Sequence, residues 1–178
     1  MGKTVLLDIC CACCATVCID RLKAEDYRVV GYFGNDNIHP FQERERRLKD
    51  ARMVAEKAAI ELIEGVYNPA RWSSRCDRFA AAPEGGARCI QCFDYRLRDA
   101  RAVMVEKGYD LFTTTLTISP HKKANVINAL GTAVDSDRFL SRDFKKQSGF
   151  QESVARAKDL NLYRQNYCGC IYSSKNDR

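Results

Sequence analysis

The stretch VLLDICCACCATVC, residues 5–18, decides the fold of this chain. Its first part, residues 5–9, is a short apolar run that predicts a buried β-strand. A helix is predicted directly after it, since Cys14, Cys18 and Leu22 recur at intervals of four residues. A strand that leads straight into a helix is typical of α/β domains with a parallel sheet, whose ligands bind at the carboxyl ends of the strands. The first cysteines lie at that position.

The rest of the chain alternates between predicted strands and predicted helices. A second strand is predicted over residues 28–33, and a long helix begins near Pro40 and carries an apolar stripe that extends to Leu62. Residues 67–88 contain two prolines and a Gly-Gly pair, and they predict an irregular functional loop. The later elements are a helix from Cys89 to Gly108, a strand over residues 111–117, a helix from Ser119 and Pro120 to Gly131, and a short helix over residues 151–159.

These elements predict an α/β fold with a mainly parallel sheet flanked by helices. The chain has 178 residues, of which 46% are hydrophobic and 29% charged, so we expect a single globular domain over residues 1–178. No signal peptide or membrane-spanning stretch is predicted, and we expect a cytoplasmic protein with no membrane partner. The net charge of +6 suits a polyanionic partner without requiring one.

Ten cysteines are many for such a chain, and five of them fall within residues 10–18. Clustered thiols without a secretory signal are more typical of metal binding or redox chemistry than of a disulfide framework. Cys89 and Cys92 form a C-x-x-C at a predicted helix start, where the helix dipole favours thiolates. Cys10 and Cys11 are the natural other half of one metal site. Four thiolates suit either zinc or an iron–sulfur cluster, so ligand number leaves both occupants open.

A third group, Cys168 and Cys170, flanks Gly169. On oxidation the two sulfurs would close a very small ring, and strained disulfides of this kind are readily reduced. Such a pair favours redox catalysis over a structural zinc site. Two other interpretations stay open for this pair, namely that it binds a second metal or that it stays reduced.

The other cysteines give weaker predictions. Cys13, Cys18 and Cys76 are expected to be ordinary buried residues, because free cysteine is among the most buried residue types. The role of Cys14 is undecided between metal ligand and core residue.

Five motifs follow one another in a distinctive order. They are CCACC at residues 10–14, EGGARCIQC at 84–92, TLTISPHK at 115–122, DFKK at 143–146 and YRQNYCGC at 163–170. Together they resemble the cobalamin-independent epoxyqueuosine reductases, the QueH family. Each motif is weak alone, but five in one order are highly specific. The chain differs from the usual family pattern at Asp8, where the family has His, and at Cys13, where it has Pro.

This resemblance implies an oxidoreductase that removes the epoxide oxygen of epoxyqueuosine in tRNA, the last step of queuosine synthesis. It also implies a nucleotide-binding α-hydrolase-like (HUP-like) fold with the metal site at the carboxyl ends of the strands. The implied site residues are Cys10, Cys11, Cys89 and Cys92 as ligands of a [4Fe-4S] cluster, and Cys168 and Cys170 as a redox-active pair.

A cluster passes one electron at a time, whereas removal of the epoxide oxygen consumes two. We therefore expect a second redox centre, either the Cys168–Cys170 pair or an additional mononuclear iron, and an external electron donor. Asp143 or Asp8 is expected to deliver protons. Contacts to the tRNA are expected from Lys122, Lys123, Lys145, Lys146, Arg156 and Arg164, and from Tyr163 or Tyr167 stacking on bases.

Two other functions fit parts of this pattern. An iron–sulfur enzyme that thiolates or desulfurises tRNA would share the fold and the cluster. A non-catalytic zinc-binding module would share the cysteines alone.

Overall fold

The structure is a computed structural model that describes residues 2–173. Its centre is a parallel sheet whose strands lie in the order β3-β2-β1-β4. The strands are β1 (Thr4–Asp8), β2 (Arg28–Phe33), β3 (Glu61–Glu64) and β4 (Leu111–Thr114). The predicted parallel α/β architecture is confirmed.

Helices cover both faces of this sheet. The α-helices of the described residues are α1 (Ala12–Ala24), α2 (Phe41–Lys57), α3 (Pro69–Cys76), α4 (Ala87–Glu106), α5 (Ala124–Val134) and α6 (Gly149–Asp159). One hydrophobic core joins a face of the sheet to α1, α2 and α6, and a second core joins the other face to α4 and α5. None of these helices combines the length and apolar character needed to span a membrane.

The first strand contributes to both cores. Val5 and Leu7 point into the core with α1, whereas Leu6 points into the core with α4. Side chains alternate between the two faces of a strand, so a strand covered on both faces needs apolar residues at every position. This explains why the strand reads as an unbroken apolar run and ends abruptly at the polar Asp8.

The predicted extent of the long helix is wrong. Helix α2 ends at Lys57, and Leu62 lies in β3 instead of on the helix. Strand β3 was not predicted, because it is a four-residue edge strand whose two outer residues are exposed. Such a short, half-exposed segment has no distinctive apolar pattern.

Residues 67–88 are more ordered than predicted. Helix α3 begins with Pro69 in its first turn, and Trp72 and Cys76, one turn apart, are completely buried. Proline is favoured at the first position of a helix, so the residue that predicted a loop marks a helix start instead.

The helix predicted from Ser119 to Gly131 also differs. The backbone N–H of Lys122 donates to the Ser119 carbonyl in a turn, and α5 begins only at Ala124. Gly131 lies inside this helix, where a Cβ would collide with the ring of Phe139. The glycine is therefore a packing requirement and not a helix end.

Candidate functional site

Three sulfurs converge where β1 passes into α1. Cys10 follows the strand, Cys11 is the extended N-cap residue of the helix, and Cys14 lies in the first helical turn. The Sγ of Cys11 is 3.0 Å from that of Cys14 and 3.9 Å from that of Cys10, and all three lie within 4.8 Å of one another. A spacing of three along a helix start places side chains on one face, so Cys14 belongs to this group.

Electrostatics inside this N-terminal thiol group favour a bound cation. The hydrogen bond with Cys11 lowers the pKa of Cys10, and the same contact raises the pKa of Cys11 to about 12. The hydrogen bond with Cys10 likewise raises the pKa of Cys14. Burial disfavours charge on these thiols, and buried like charges this close ionise together only with a positive charge between them. A soft metal centre meets that requirement.

A cavity of about 650 Å³ opens beside the N-terminal thiol group, a size within the usual range of ligand sites. Its walls combine thiols, amides and cations. Among the lining residues are Cys10, Cys11, Cys14, Cys92, Lys122 and Cys168. Residues far apart in the chain thus meet at the carboxyl ends of β1 and its neighbours, as expected for this fold.

The C-x-x-C pair lies in the first two turns of α4, outside the N-terminal thiol group. Cys92 lines the cavity, and burial raises its pKa. The Sγ of Cys89 accepts a hydrogen bond from the backbone N–H of Gly85 at 3.2 Å. The structure therefore brings Cys10 and Cys11 together with Cys14, and Cys92 lines the same cavity.

The C-G-C pair is divided between two environments. Both thiols are free, and Cys168 lines the cavity. Cys170 is buried in a small cluster with Trp72 and Cys76. The three cysteines expected to be ordinary residues, Cys13, Cys18 and Cys76, are buried, although Cys13 also reaches the cavity.

Comparison with known proteins decides the family. The family model described as epoxyqueuosine reductase QueH matches residues 5–176. The chain belongs to the QueH family. Relatives of that name include proteins from Streptococcus pyogenes serotype M1, at 38% identity over 97% of this chain and 71% of the relative, and from Dehalococcoides mccartyi, at 36% identity over 97% and 93%.

A solved structure of the U34-tRNA thiolase NcsA from Methanococcus maripaludis with its [4Fe-4S] cluster has the same fold. The TM-score is 0.62 at 14% sequence identity, over 97% of this QueH-family chain and 62% of the thiolase chain. At this identity the likeness supports the HUP-like fold alone.

Asp8, the last residue of β1, forms a buried ion pair with Arg96. Its carboxylate is 2% exposed and accepts hydrogen bonds from Arg96 Nη2 at 2.6 Å and from the Thr114 hydroxyl at 2.8 Å. Burial raises its pKa, although Arg96 opposes that shift. Asp143 lies near the surface with Lys145, 3.7 Å away. Neither acid is among the residues that line the cavity.

Arg96 is a site residue that the sequence did not reveal. It lines the cavity from α4 and donates to Asp8 and to the side chains of Asn35 and Asn37 beyond β2. It thereby joins the carboxyl ends of two strands to the helix that carries Cys92. An arginine in a helix ordinarily reads as a surface residue, so no sequence signal distinguished it.

The basic residues predicted to bind RNA have different environments. Lys122 and Arg164 line the cavity, and Lys123 and Lys146 are exposed. Lys145 instead donates its Nζ protons to the carbonyls of Thr117 and Lys122, at 2.8 and 3.0 Å. It fixes the loop that presents Lys122.

Three further residues predicted to contact RNA are engaged within the protein. Arg156 pairs with Asp20 and Glu152. The Tyr163 hydroxyl donates to Glu43, and the Tyr167 hydroxyl donates to the carbonyl of His39. Their side chains help to hold the C-terminal segment against the rest of the domain.

Proposed function

We propose that this chain reduces the epoxide of epoxyqueuosine in tRNA and so forms queuosine. The observation that carries this proposal is the cavity, in which thiols from three QueH motifs, represented by Cys10, Cys92 and Cys168, face one space. We further propose that the enzyme acts as a single domain in the cytoplasm, where its tRNA substrate is found.

The thiols fit a [4Fe-4S] cluster. Cys10 and Cys11 lie close together, Cys92 lines the same cavity, and Cys89 lies three residues before Cys92 in α4. We assign these four residues as its ligands; when bound, the cluster supplies single electrons to the site. Cys14 is then a fifth thiol beyond the four that a cubane takes, and we propose it as a ligand of an additional mononuclear iron.

The cavity walls suit the substrate's modified base. Amide side chains from Asn35, Asn37 and Gln165 can hydrogen-bond to a polar base and its hydroxylated ring. Lys122 has no carboxylate partner among the described residues. Burial by itself would lower the pKa of Lys122, but the nearby thiols of Cys168 and Cys10 raise it overall, so the side chain stays a cation. We assign its ammonium group to the epoxide oxygen, where it stabilises negative charge as the C–O bonds break.

Two electrons and two protons balance the reaction: both C–O bonds break, an alkene forms and the oxygen leaves as water. An external donor supplies the electrons, and the Cys168–Cys170 pair is proposed as a redox-active relay. Because Asp8 binds Arg96 within the fold, we assign it to positioning instead of to proton delivery. Asp143 stays a candidate proton donor only through a movement of its loop.

The tRNA is proposed to approach over the mouth of the cavity. Arg164 is exposed and lines this cavity, and Lys123 and Lys146 are exposed on neighbouring loops. Exposed cations of this kind bind phosphates and make affinity fall with salt.

The decisive experiment is anaerobic incubation of the iron-loaded protein with epoxyqueuosine-containing tRNA and a reductant, followed by nucleoside analysis. We expect queuosine to appear with wild-type protein and with Cys18→Ala, a buried thiol outside the cavity, and to be absent with Cys10→Ser. A thiolated nucleoside would instead indicate the sulfur-transfer alternative. Zinc without iron or sulfide in anaerobically prepared protein, together with unchanged tRNA, would contradict the proposal in favour of a binding module.

A further inference from the structure

The C-G-C loop presents its two thiols to different surroundings. Cys168 lines the cavity together with Lys122. Cys170 is 7% exposed and packs against Trp72 and Cys76, with its Sγ 3.4 Å from the hydroxyl of Ser173. Two thiols so close in sequence are thus chemically unequal in the folded protein.

An arginine from another part of the chain holds this arrangement. Arg47 of α2 is 3% exposed, and its guanidinium donates to the backbone carbonyls of Cys168 at 3.0 Å and Tyr167 at 3.2 Å. Its Nε donates to the carboxylate of Glu43, one turn earlier, at 2.7 Å. A planar guanidinium that binds two carbonyls and one carboxylate at once fixes the loop more narrowly than a lysine can.

The glycine between the thiols completes the fit. Gly169 has φ +120°, a conformation that other residues rarely adopt. A Cβ there would lie 3.1 Å from Arg47 Nη1 and 3.1 Å from Ile38 Cγ1. The Gly169 carbonyl also accepts a hydrogen bond from the His39 N–H at 2.7 Å. Close contacts on two sides therefore hold the loop, and glycine is the residue that lets them approach.

We propose that Arg47 is a positioning residue that makes Cys168 the thiol facing the substrate and keeps Cys170 outside the cavity as its partner. This rests on the proposed function. In the complete step, the two thiols lose two electrons and two protons and form one S–S bond. The epoxide takes up these two electrons and two protons, both of its C–O bonds break, and it becomes an alkene and water. An external dithiol or low-potential electron donor then reduces the disulfide. Formation of the S–S bond takes Cys170 away from Trp72.

The test measures alkylation of each cysteine in the anaerobic, iron-loaded protein, with the labelled positions identified by peptide mass spectrometry. In the wild type, Cys168 is expected to react well before Cys170. In Arg47→Ala the ratio of their rates should fall about tenfold, the scale of one lost charge-assisted hydrogen bond. Arg47→Lys should restore part of the ratio. Arg52→Ala, at an exposed arginine of the same helix that pairs with Glu64, should leave it unchanged.

Labelling of Cys18, which is completely buried in the core, reports general unfolding in the same sample. If Arg47→Ala fails to fold, as increased Cys18 labelling would show, Arg47→Lys carries the test, with a smaller fall in the ratio and a lower kcat at unchanged KM for tRNA. Equal labelling of Cys168 and Cys170 in the wild type, or an unchanged ratio in a folded Arg47 variant, would overturn the proposal. Because labelling needs no substrate, its result stands whether or not the protein reduces epoxyqueuosine.

Discussion

The first and last cysteine groups of this chain are arranged by different means. Cys10, Cys11 and Cys14 converge because a strand end and one helical turn place them together, so neighbouring residues suffice. Cys168 and Cys170 are closer in sequence than Cys10 and Cys14, yet they lie in separate environments. Local geometry gathers the first group, whereas contacts from α2 separate the second. Proximity in sequence therefore predicts a shared site only when secondary structure itself directs the side chains together.

The largest effect is expected from removal of a thiol in the first group. Cys10→Ser or Cys11→Ser should abolish iron binding and turnover, because a hydroxyl does not replace a thiolate on a soft metal. Iron and sulfide content and nucleoside analysis measure both losses. Cys18→Ala is the matched control. Full iron content in the Cys10 variant would show that Cys10 is not a metal ligand, although its sulfur lies close to those of Cys11 and Cys14.

The second largest effect is expected from breaking the ion pair between Asp8, two residues before Cys10, and Arg96 of α4. Arg96→Met leaves the carboxylate of Asp8 buried without its partner, which should lower the free energy of unfolding by about 3–5 kcal/mol. The double variant with Asp8→Leu should recover much of that loss, since it buries no unpaired charge. Denaturant unfolding of the three proteins measures these values; additive losses would show that the two residues do not act as a pair.

Lys122, which lines the same cavity as Cys10 and Cys168, should affect the reaction rate more than the affinity for tRNA. Lys122→Met is expected to lower kcat by about 100-fold, comparable to the loss of one transition-state hydrogen-bond donor. Lys123→Met, at the exposed neighbour, should instead weaken tRNA binding and reduce its salt dependence by about one ion. Single-turnover rates and filter binding at several salt concentrations separate these effects. The opposite pattern would return Lys122 to a phosphate-binding role.

The smallest effect concerns the pH at which the first group reacts in metal-free protein. A free cysteine thiol has a pKa of about 8.5. Because the pKa of Cys10 is lowered, Cys10 is a thiolate at pH values below about 8.5, and its alkylation rate should reach its plateau below that pH. Cys11, with its pKa raised to about 12, should stay protonated and react slowly until the pH approaches that value. Alkylation rates from pH 6 to 10 measure the order. Equal rates for both residues would show that they share no proton.

Several local features could be predicted from the sequence because they depend on neighbouring residues. The run before Asp8 is apolar at every position because both faces of β1 are covered. Helix α4 begins near Cys89, where the C-x-x-C was found. Strand β3 and the start of α5 were missed, since a short edge strand and a Ser-Pro turn carry ambiguous signals.

By itself, the sequence determined the parallel α/β fold, the family and the position of the cysteines at strand and helix ends. The tertiary structure decided that Cys14 joins Cys10 and Cys11, that Asp8 binds Arg96, and that Cys168 and Cys170 face different surroundings. The physical reason is the separation along the chain between the residues that interact. Side-chain periodicity is set by hydrogen bonds between near neighbours, but an ion pair or a backbone clamp joins residues that meet only after the helices have packed on the sheet.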